Sequence, residues 1–297
     1  MSQFVSAVLI GVVQGSIYAL LAVGLVLIFK TQRVINFAQA ELATMGAFGL
    51  YIYLMVWPKA PYAVAVILAV LTAGLLGLIV ERVVIRPLRE SRDVTVFVTT
   101  AGVALFIISM TLFIGDANIR QVRPMMEGEV AVGTLPISYQ QLLVILVLVV
   151  VSILLTAFFK LPIGRALLAV SREPFAVRLA GISTSRMSML VWIMAGLIAG
   201  LAGVFFSTTT QITPGLFTAS FLFPSLTGAV LGGLTSVPGA IAGGIAVGII
   251  QAMASIYATS LPASWQNWVQ GPDTMVVFLI LILVLFVRPE GLLAREA

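Results

Sequence analysis

The polar residues that could act on a solute are few, and the first group interrupts an otherwise apolar segment. Glu41 lies eight residues beyond Arg33, with Asn36 and Gln39 between them, and the stretch lacks helical periodicity. The flanking residues are apolar enough to lie in a bilayer, where irregular backbone is tolerated only beside protein or a water-filled cavity. Asn36, Gln39 and Glu41 are therefore candidates for lining a translocation path. Alternatively, Glu41 caps the N-terminus of the following helix or pairs with Arg33.

A second polar group contains hydroxyl and amide side chains. Thr208 and Gln211 belong to a run of such residues that follows a later apolar segment, and Thr99 and Thr100 lie side by side in an earlier one. These groups suit a polar, uncharged passage, so all four are candidates for lining the path. The competing interpretation is that the hydroxyls bond to backbone carbonyls of their own helix or loop.

Residues 160–186 differ from the rest of the chain because basic residues recur among the apolar ones there. The sequence predicts two short helices set at an angle. Ser171 or Arg172 ends the first, Pro174 lies in the first turn of the second, and Gly181 caps its C-terminus.

The second of these helices has an apolar face formed by Phe175, Leu179 and Ile182. Such a face could dock into a groove on a cytosolic partner. It could equally lie flat on the lipid surface as a short amphipathic helix. Composition alone favours the lipid interpretation.

Catalytic chemistry has little to use in this chain. It contains no Cys and no His, which removes thiol nucleophiles and the commonest general base and metal ligand. A P-loop needs Gly directly before its Lys, whereas Lys30, Lys59 and Lys160 follow Phe29, Pro58 and Phe159. We expect no catalytic residue, no metal site and no cofactor in this chain, and an intramembrane enzyme is poorly supported.

The composition indicates a membrane protein. Of 297 residues, 61% are hydrophobic and 9% charged, against about 25% charged residues in soluble domains. In water such a chain would have too few polar side chains to cover its surface, whereas a bilayer removes that requirement. We predict an all-α, polytopic bundle of membrane helices forming one domain over residues 1–297.

The number of crossings follows from the runs that lack Asp, Glu, Lys and Arg. One of them, residues 187–272, is long enough for three crossings, with breaks expected near Pro214, Ser236 and Pro262. At about 20 residues per crossing the sequence predicts about nine crossings. The remaining runs are residues 1–29, 42–58, 60–80, 94–115, 130–159 and 274–287.

The distribution of basic residues predicts the orientation. Only Lys59, Arg120 and Arg123 of the 16 Lys and Arg residues fall outside if the turn at residues 30–33, residues 81–93, residues 160–186 and the C-terminus are cytoplasmic. The N-terminus is then external and residues 116–138 form an external loop. The net charge of +5 is thus a topology signal, and no nucleic-acid partner is expected.

Pairs of glycines four residues apart mark the expected helix contacts, because helix association in lipid depends on close packing of small residues. The pairs are Gly11/Gly15, Gly196/Gly200, Gly228/Gly232, Gly239/Gly243 and Gly244/Gly248. Alternatively, these glycines let helices slide past one another during transport.

Four motifs in order along the chain resemble permease subunits of branched-chain amino acid importers of the ATP-binding cassette class, the first of their two paired permeases. One departure is Gln39-Ala40, where the family commonly has His-Gly before the glutamate. The motifs are Gly15-Ser16-Ile17-Tyr18-Ala19-Leu20 with Gly24; Arg33-Val34-Ile35-Asn36-Phe37-Ala38 with Glu41 and Gly46; Gly164-Arg165-Ala166 through Leu179-Ala180-Gly181-Ile182; and Ala229-Val230-Leu231-Gly232-Gly233 with Ser236-Val237-Pro238-Gly239-Ala240 and Arg288-Pro289-Glu290-Gly291.

The resemblance implies a heterodimer with a second permease, two cytosolic ATP-binding subunits that hold ATP-Mg, and an extracytoplasmic solute-binding protein, all at a bacterial plasma (inner) membrane. It raises partner docking above the lipid interpretation for residues 160–186. Within them it implies coupling contacts to an ATPase from Gly164, Arg165, Arg172, Glu173, Ala176, Arg178, Leu179 and Gly181.

The expected function is therefore a permease subunit for branched-chain or related amino acids that forms half of the translocation path. The alternative is a secondary transporter of a small polar solute, driven by protons or sodium. Such transporters usually need ionisable groups inside the membrane, and Glu41 alone is thin support for that mechanism.

Overall fold

Helices form most of the regular structure. The computed structural model describes residues 2–88, 91, 93–115, 118–132, 135–209, 211–215, 217–258, 271–288 and 291. Its α-helices are α1 (Ser2–Gln32), α2 (Gln39–Val56), α3 (Tyr62–Val80), α4 (Asp93–Gly115), α5 (Tyr139–Lys160), α6 (Pro162–Arg172), α7 (Pro174–Leu179), α8 (Thr184–Ser207), α9 (Phe223–Gly232), α10 (Val237–Ala258) and α11 (Pro272–Val287).

Two helices carry π-helical turns at one end. Glu81–Ile85 continues α3 and is followed by a 3₁₀ turn at Arg86–Leu88, while Thr218–Leu222 leads into α9. The first of these turns corrects the assignment of residue 81 to a cytoplasmic loop. The helix does not stop at the first charge, because the Glu81 side chain is buried against neighbouring helices.

Six helices are long and apolar enough to cross a membrane: α1, α3 with its continuation, α4, α5, α8 and α10. The other predicted crossings fall on α2, α9 and α11, which are shorter or more polar. The total of about nine crossings and the orientation of the termini stay predictions. Of the expected breaks, Pro214 lies outside any helix and Ser236 directly precedes α10. The break at Pro262 lies outside the described residues.

A short antiparallel pair of strands, β1 (Glu129–Val132) and β2 (Leu135–Ser138), precedes α5. The apolar run from residue 130 is therefore not helical throughout. Its helix begins only after Ser138, whose hydroxyl accepts from Gln141 N while the Gln141 side chain accepts from Ser138 N. This reciprocal capping box gives the helix a fixed start.

The centre of the bundle is built on backbone contacts between α1 and α10. A Cβ atom on Gly244 would lie 2.6 Å from Ala19 Cα, and one on Gly15 would lie 2.7 Å from Ile245 Cα. Gly11 faces Ile249 in the same way, so the two helices run antiparallel. The predicted glycine pairs are confirmed here as points of close approach.

Glycines also bring other helices together. On α8, a Cβ on Gly196 would lie 2.6 Å from Ala73 O of α3. Between α9 and α10, a Cβ on Gly228 would lie 2.7 Å from Gly244 Cα. Gly244 is thus in close contact with two helices at once, α1 and α9.

Replacing Gly244 by Ala should destabilise the bundle, because the added methyl group overlaps the backbone of α1. We expect a loss of about 1–3 kcal/mol, typical of overpacking. Thermal unfolding in detergent measures it, with Gly102→Ala on α4 as the matched control, since a Cβ there meets nothing within 4 Å. Equal melting temperatures for the two variants would contradict the packing argument.

Candidate functional site

The predicted break before α2 is confirmed. α1 ends at Gln32, Arg33 has a left-handed φ of 58°, and residues 34–38 are not helical. The Arg33 guanidinium lies over the Phe29 ring at 5.8 Å from its centroid, and Arg33 is exposed whereas Glu41 is fully buried. Pairing of Glu41 with Arg33 is not what the structure adopts.

Asn36 and Gln39 hold this break against α8. The Asn36 side chain accepts from Ala38 N at 3.0 Å and donates to Gln39 Oε1 at 3.3 Å. Gln39 in turn donates to Ala195 O of α8 at 3.1 Å. All of these groups are buried, so the amides satisfy backbone and side-chain partners that water cannot reach.

Gly24 on α1 provides the space for this arrangement. A Cβ atom at Gly24 would overlap the Gln39 amide nitrogen. The glycine in the first motif and the amide in the second are therefore complementary parts of one packing arrangement.

Of the two adjacent threonines on α4, only Thr100 joins the break. Its hydroxyl accepts from Phe37 N at 3.2 Å and donates to Phe97 O at 2.8 Å. Thr99 is half-buried, and its hydroxyl donates to Thr95 O of its own helix at 2.7 Å. Thr100 thus bonds a carbonyl of its own helix, as one interpretation expects, and also contacts the backbone of the break.

Glu41 connects the start of α2 to the segment that leads into α9. Its Oε1 atom accepts from Thr218 N at 3.2 Å and from Thr218 Oγ1 at 2.6 Å. Glu41 lies in the first turn of α2, and Thr218 begins the π-helical turn. The carboxyl group therefore lies near the N-terminal, positive ends of two helices.

The surroundings of Glu41 are otherwise neutral. In the described part of the chain, no Lys or Arg forms an ion pair with it, and Oε2 is buried without a hydrogen bond. The Thr44 hydroxyl lies beside the carboxyl group, while Thr44 also donates weakly to Ala40 O at 3.5 Å. Helix dipoles and neutral donors thus take the place of a cation.

Aromatic side chains pack beside Thr218. Phe217 lies 5.0 Å from Phe206 and 5.3 Å from Phe221, measured between ring centroids. Tyr18 of α1 lies 5.5 Å from Phe221. These rings pack apolar surface around the segment that carries Thr218, which is itself half-buried.

Thr208 and Gln211 are not brought to Glu41. The Thr208 hydroxyl donates to Phe205 O at 2.7 Å and accepts from Gln140 Nε2 at 2.6 Å, so it contacts the start of α5. Gln211 is exposed. Whether the path includes these two residues stays a prediction.

The predicted helices of residues 160–186 are confirmed as α6 and α7. Arg172 ends α6, its side chain lying outside the described residues, and Pro174 begins α7. Gly181 follows α7 with a φ of 79°, which is the conformation expected of a glycine cap. Gly164 is buried, and it lies so close to α5 that a Cβ there would overlap Phe158 O.

Most predicted coupling residues of this segment lie on the surface. Leu179 keeps 76% of its accessible area, and Phe175, which belongs to the predicted apolar face but not to the coupling set, keeps 69%. Both values are large for apolar side chains. The remaining exposed members are Arg165, Glu173, Ala176, Arg178 and Gly181.

Comparison with known proteins identifies the family. The family model described as the permease component of the branched-chain amino acid transport system matches residues 7–287. The chain belongs to this permease family. It is therefore a multi-pass membrane transport protein and not an enzyme.

Relatives align along nearly the whole permease. Two are the high-affinity branched-chain amino acid transport system permease proteins LivH of Escherichia coli and BraD of Pseudomonas aeruginosa, 27% and 28% identical over 96% of this chain and 94% of each relative. A probable branched-chain amino acid transport permease of Methanocaldococcus jannaschii is 25% identical over 95% of this chain and 90% of its own length. No solved structure matches.

Sequence reasoning missed one buried acid, Glu81, because it directly follows an apolar run and precedes Arg82, like the first residue of a loop. The signal that could have found it is the continuation of apolar residues at 83–85, which extends the helix past the charge.

Replacing Thr218 by Val should destabilise the permease, because the fully buried Glu41 carboxyl group loses its shortest hydrogen bond. We expect a loss of about 1–3 kcal/mol, measured by denaturant unfolding in nanodiscs. Thr99→Val makes the same chemical change where the hydroxyl bonds only its own helix, and should change little. Equal stability of the two variants would disprove a structural role for the contact.

Proposed function

We propose that this permease is a subunit of an ATP-binding cassette importer for branched-chain or related amino acids. The observation that carries the proposal is the family match over residues 7–287 together with relatives of matching length whose names specify branched-chain amino acid transport. The chain has no Gly-Lys pair for a P-loop, so energy must come from elsewhere.

The proposed path passes the break between α1 and α2. Asn36, Gln39 and Glu41 lie on non-helical backbone or in the first turn of α2, and Thr100 contacts the same backbone. Broken helices of this kind form substrate sites in transporters. These side chains are buried within the subunit, so the proposal requires the break to open during transport. We also include Thr99, Thr208 and Gln211 in the proposed path, although they do not contact the break.

The proposed partners follow from the same assignment. A second permease completes the path as a heterodimer, and two ATP-binding subunits, which hold ATP-Mg, dock on residues 160–186. A solute-binding protein delivers substrate to the external side, including residues 116–138, of which 118–132 and 135–138 are described. The binding protein is also proposed to contact an external loop at residues 261–273, of which 271–273 are described. Lipid surrounds the single domain in the bacterial inner membrane.

The exposed apolar face of α7 supports docking of an ATP-binding subunit. Phe175 and Leu179 are exposed beside Arg178, a combination suited to a groove with an acidic rim. We propose about nine crossings with an external N-terminus and an internal C-terminus, in which case this face is on the cytoplasmic side, where the ATPases are.

Uptake by the complete transporter should depend on ATP and not on an ion gradient. We expect amino acid import into proteoliposomes containing both permeases, the ATP-binding subunits and the binding protein to stop when ATP is omitted. Import should continue when ionophores collapse proton and sodium gradients. The opposite pattern would identify an ion-coupled secondary transporter, and uphill import by this subunit alone would also contradict the proposal.

Replacing Gly181 by Val should uncouple ATP hydrolysis from transport. A non-glycine residue in the left-handed conformation loses about 1–2 kcal/mol, so the turn between α7 and α8 should rearrange. We expect weaker stimulation of ATPase activity by the loaded binding protein. Gly102→Val is the control, since a Cβ at either glycine meets nothing within 4 Å. Unchanged stimulation in the Gly181 variant would count against the coupling assignment.

A further inference from the structure

A second buried polar network lies at the ends of α1 and α3 and the beginning of α8, apart from the Glu41 cluster. It includes Glu81, which is fully buried at the start of the π-helical turn that continues α3. π-Helical turns are frequent at functional positions. The proposed path leaves this acid without a role.

Three hydrogen bonds connect the network. Trp192 Nε1 donates to Gln32 Oε1 at 3.0 Å, Gln32 Nε2 donates to Ser188 Oγ at 2.5 Å, and Ser188 Oγ donates to Glu81 Oε1 at 2.7 Å. Because each side chain is hydrogen-bonded to the next one, the orientation of each constrains that of its neighbour. The chain therefore links α1 through Gln32, α3 through Glu81, and α8 through the other two residues.

Burial makes this chain stiff. Trp192 is fully buried and Ser188 nearly so, and a Cβ at Gly77, one turn before Glu81, would overlap Trp192 O. α3 and α8 are thus in backbone contact beside the network. Rotation of α8 alone would break the bond between the buried Ser188 and Glu81 side chains, which is unfavourable.

The network lies close along the chain to the proposed coupling segment. Gly181 N donates to Arg178 O at 3.0 Å and Ile182 N to Val177 O at 3.1 Å, which closes the turn after α7. The Ser183 side chain then accepts from Arg186 N at 3.4 Å and caps α8. Because α8 begins at Thr184, Ser188 lies only about one turn into the helix that α7 would move.

We propose that Gln32, Glu81, Ser188 and Trp192 are positioning residues that transmit displacement of the coupling segment to α1 and α3. The inference rests on the proposed coupling role of residues 160–186. A push on α7 moves the start of α8, and the hydrogen-bonded chain makes the ends of α1 and α3 follow. α1 passes the motion to α10 through the glycine contacts and, beyond Gln32, to the break at residues 33–38.

The test uses the complete transporter in proteoliposomes, with leucine as the probe. Ser188→Ala removes the central link, and Trp192→Phe removes one donor while keeping an aromatic ring. Ser188→Thr restores a hydroxyl. Ser207→Ala is the matched control, because Ser207 is a buried serine of α8 whose hydroxyl donates only to Val204 O of its own helix.

The measured quantity is the number of leucine molecules imported per ATP hydrolysed, alongside basal ATPase activity and assembly by size-exclusion chromatography. We expect Ser188→Ala and Trp192→Phe to lower the ratio about fivefold, the lower end of measured couplings between sites. Basal ATPase activity and assembly should be retained, and Ser188→Thr and Ser207→Ala should stay within about twofold of the unmodified transporter.

Two results would overturn the proposal. One is an unchanged ratio in both Ser188→Ala and Trp192→Phe. The other is loss of assembly with a normal ratio in the assembled fraction, which would make the network purely structural. Failure of the proposed function is seen separately, because the unmodified transporter would then import leucine without ATP or not at all.

Discussion

The structure depends on one constraint, the need to satisfy backbone polar groups where water is absent. The chain leaves regular helix at residues 33–38 and again at residues 211–215. Both interruptions are followed by helix N-termini whose N–H groups lack partners in their own helix. Asn36 and Thr100 accept from the N–H groups of Ala38 and Phe37 just before α2, and Glu41 accepts from Thr218 N where the π-helical turn begins. Without them, neither α2 nor the segment leading into α9 could begin inside the bundle.

Glu41 serves both interruptions. Its carboxyl group lies near the N-terminal ends of two helices and accepts from both donors of Thr218. These contacts provide for a fully buried carboxyl group that forms no ion pair among the described residues. It also couples the two interruptions mechanically, because neither Thr218 nor the start of α2 can move without disturbing the other's hydrogen bonds.

Close contacts at glycines hold the helices together. Since lipid removes the hydrophobic driving force between helices, association depends on van der Waals contact. α1 and α10 achieve it by bringing backbones together at Gly15 and Gly244. The resulting pair is a firm support, while α6 and α7 leave apolar side chains exposed for a partner. A tightly packed interior with an exposed apolar docking face is what we expect of a subunit that other subunits move, which is the role proposed for this chain.

The sequence by itself determined the features that depend on local chemistry. Low charge content specified a membrane bundle, Pro174 and Gly181 specified the bounds of α7, and the polar stretch after Arg33 specified the break before α2. The glycine pairs specified where helices approach closely. Each of these signals acts over a few residues, through backbone conformation or solvation, and so can be read without knowing the fold.

Only the tertiary structure decided which polar groups meet. Glu41 and Thr218 are 177 positions apart, and Gln32 and Ser188 are 156 apart. Their pairing depends on the rotation of each helix about its axis. Helices that are apolar on every side carry little periodicity to reveal that rotation. For the same reason the sequence does not reveal that Glu81 of the extended α3 meets Ser188 of α8.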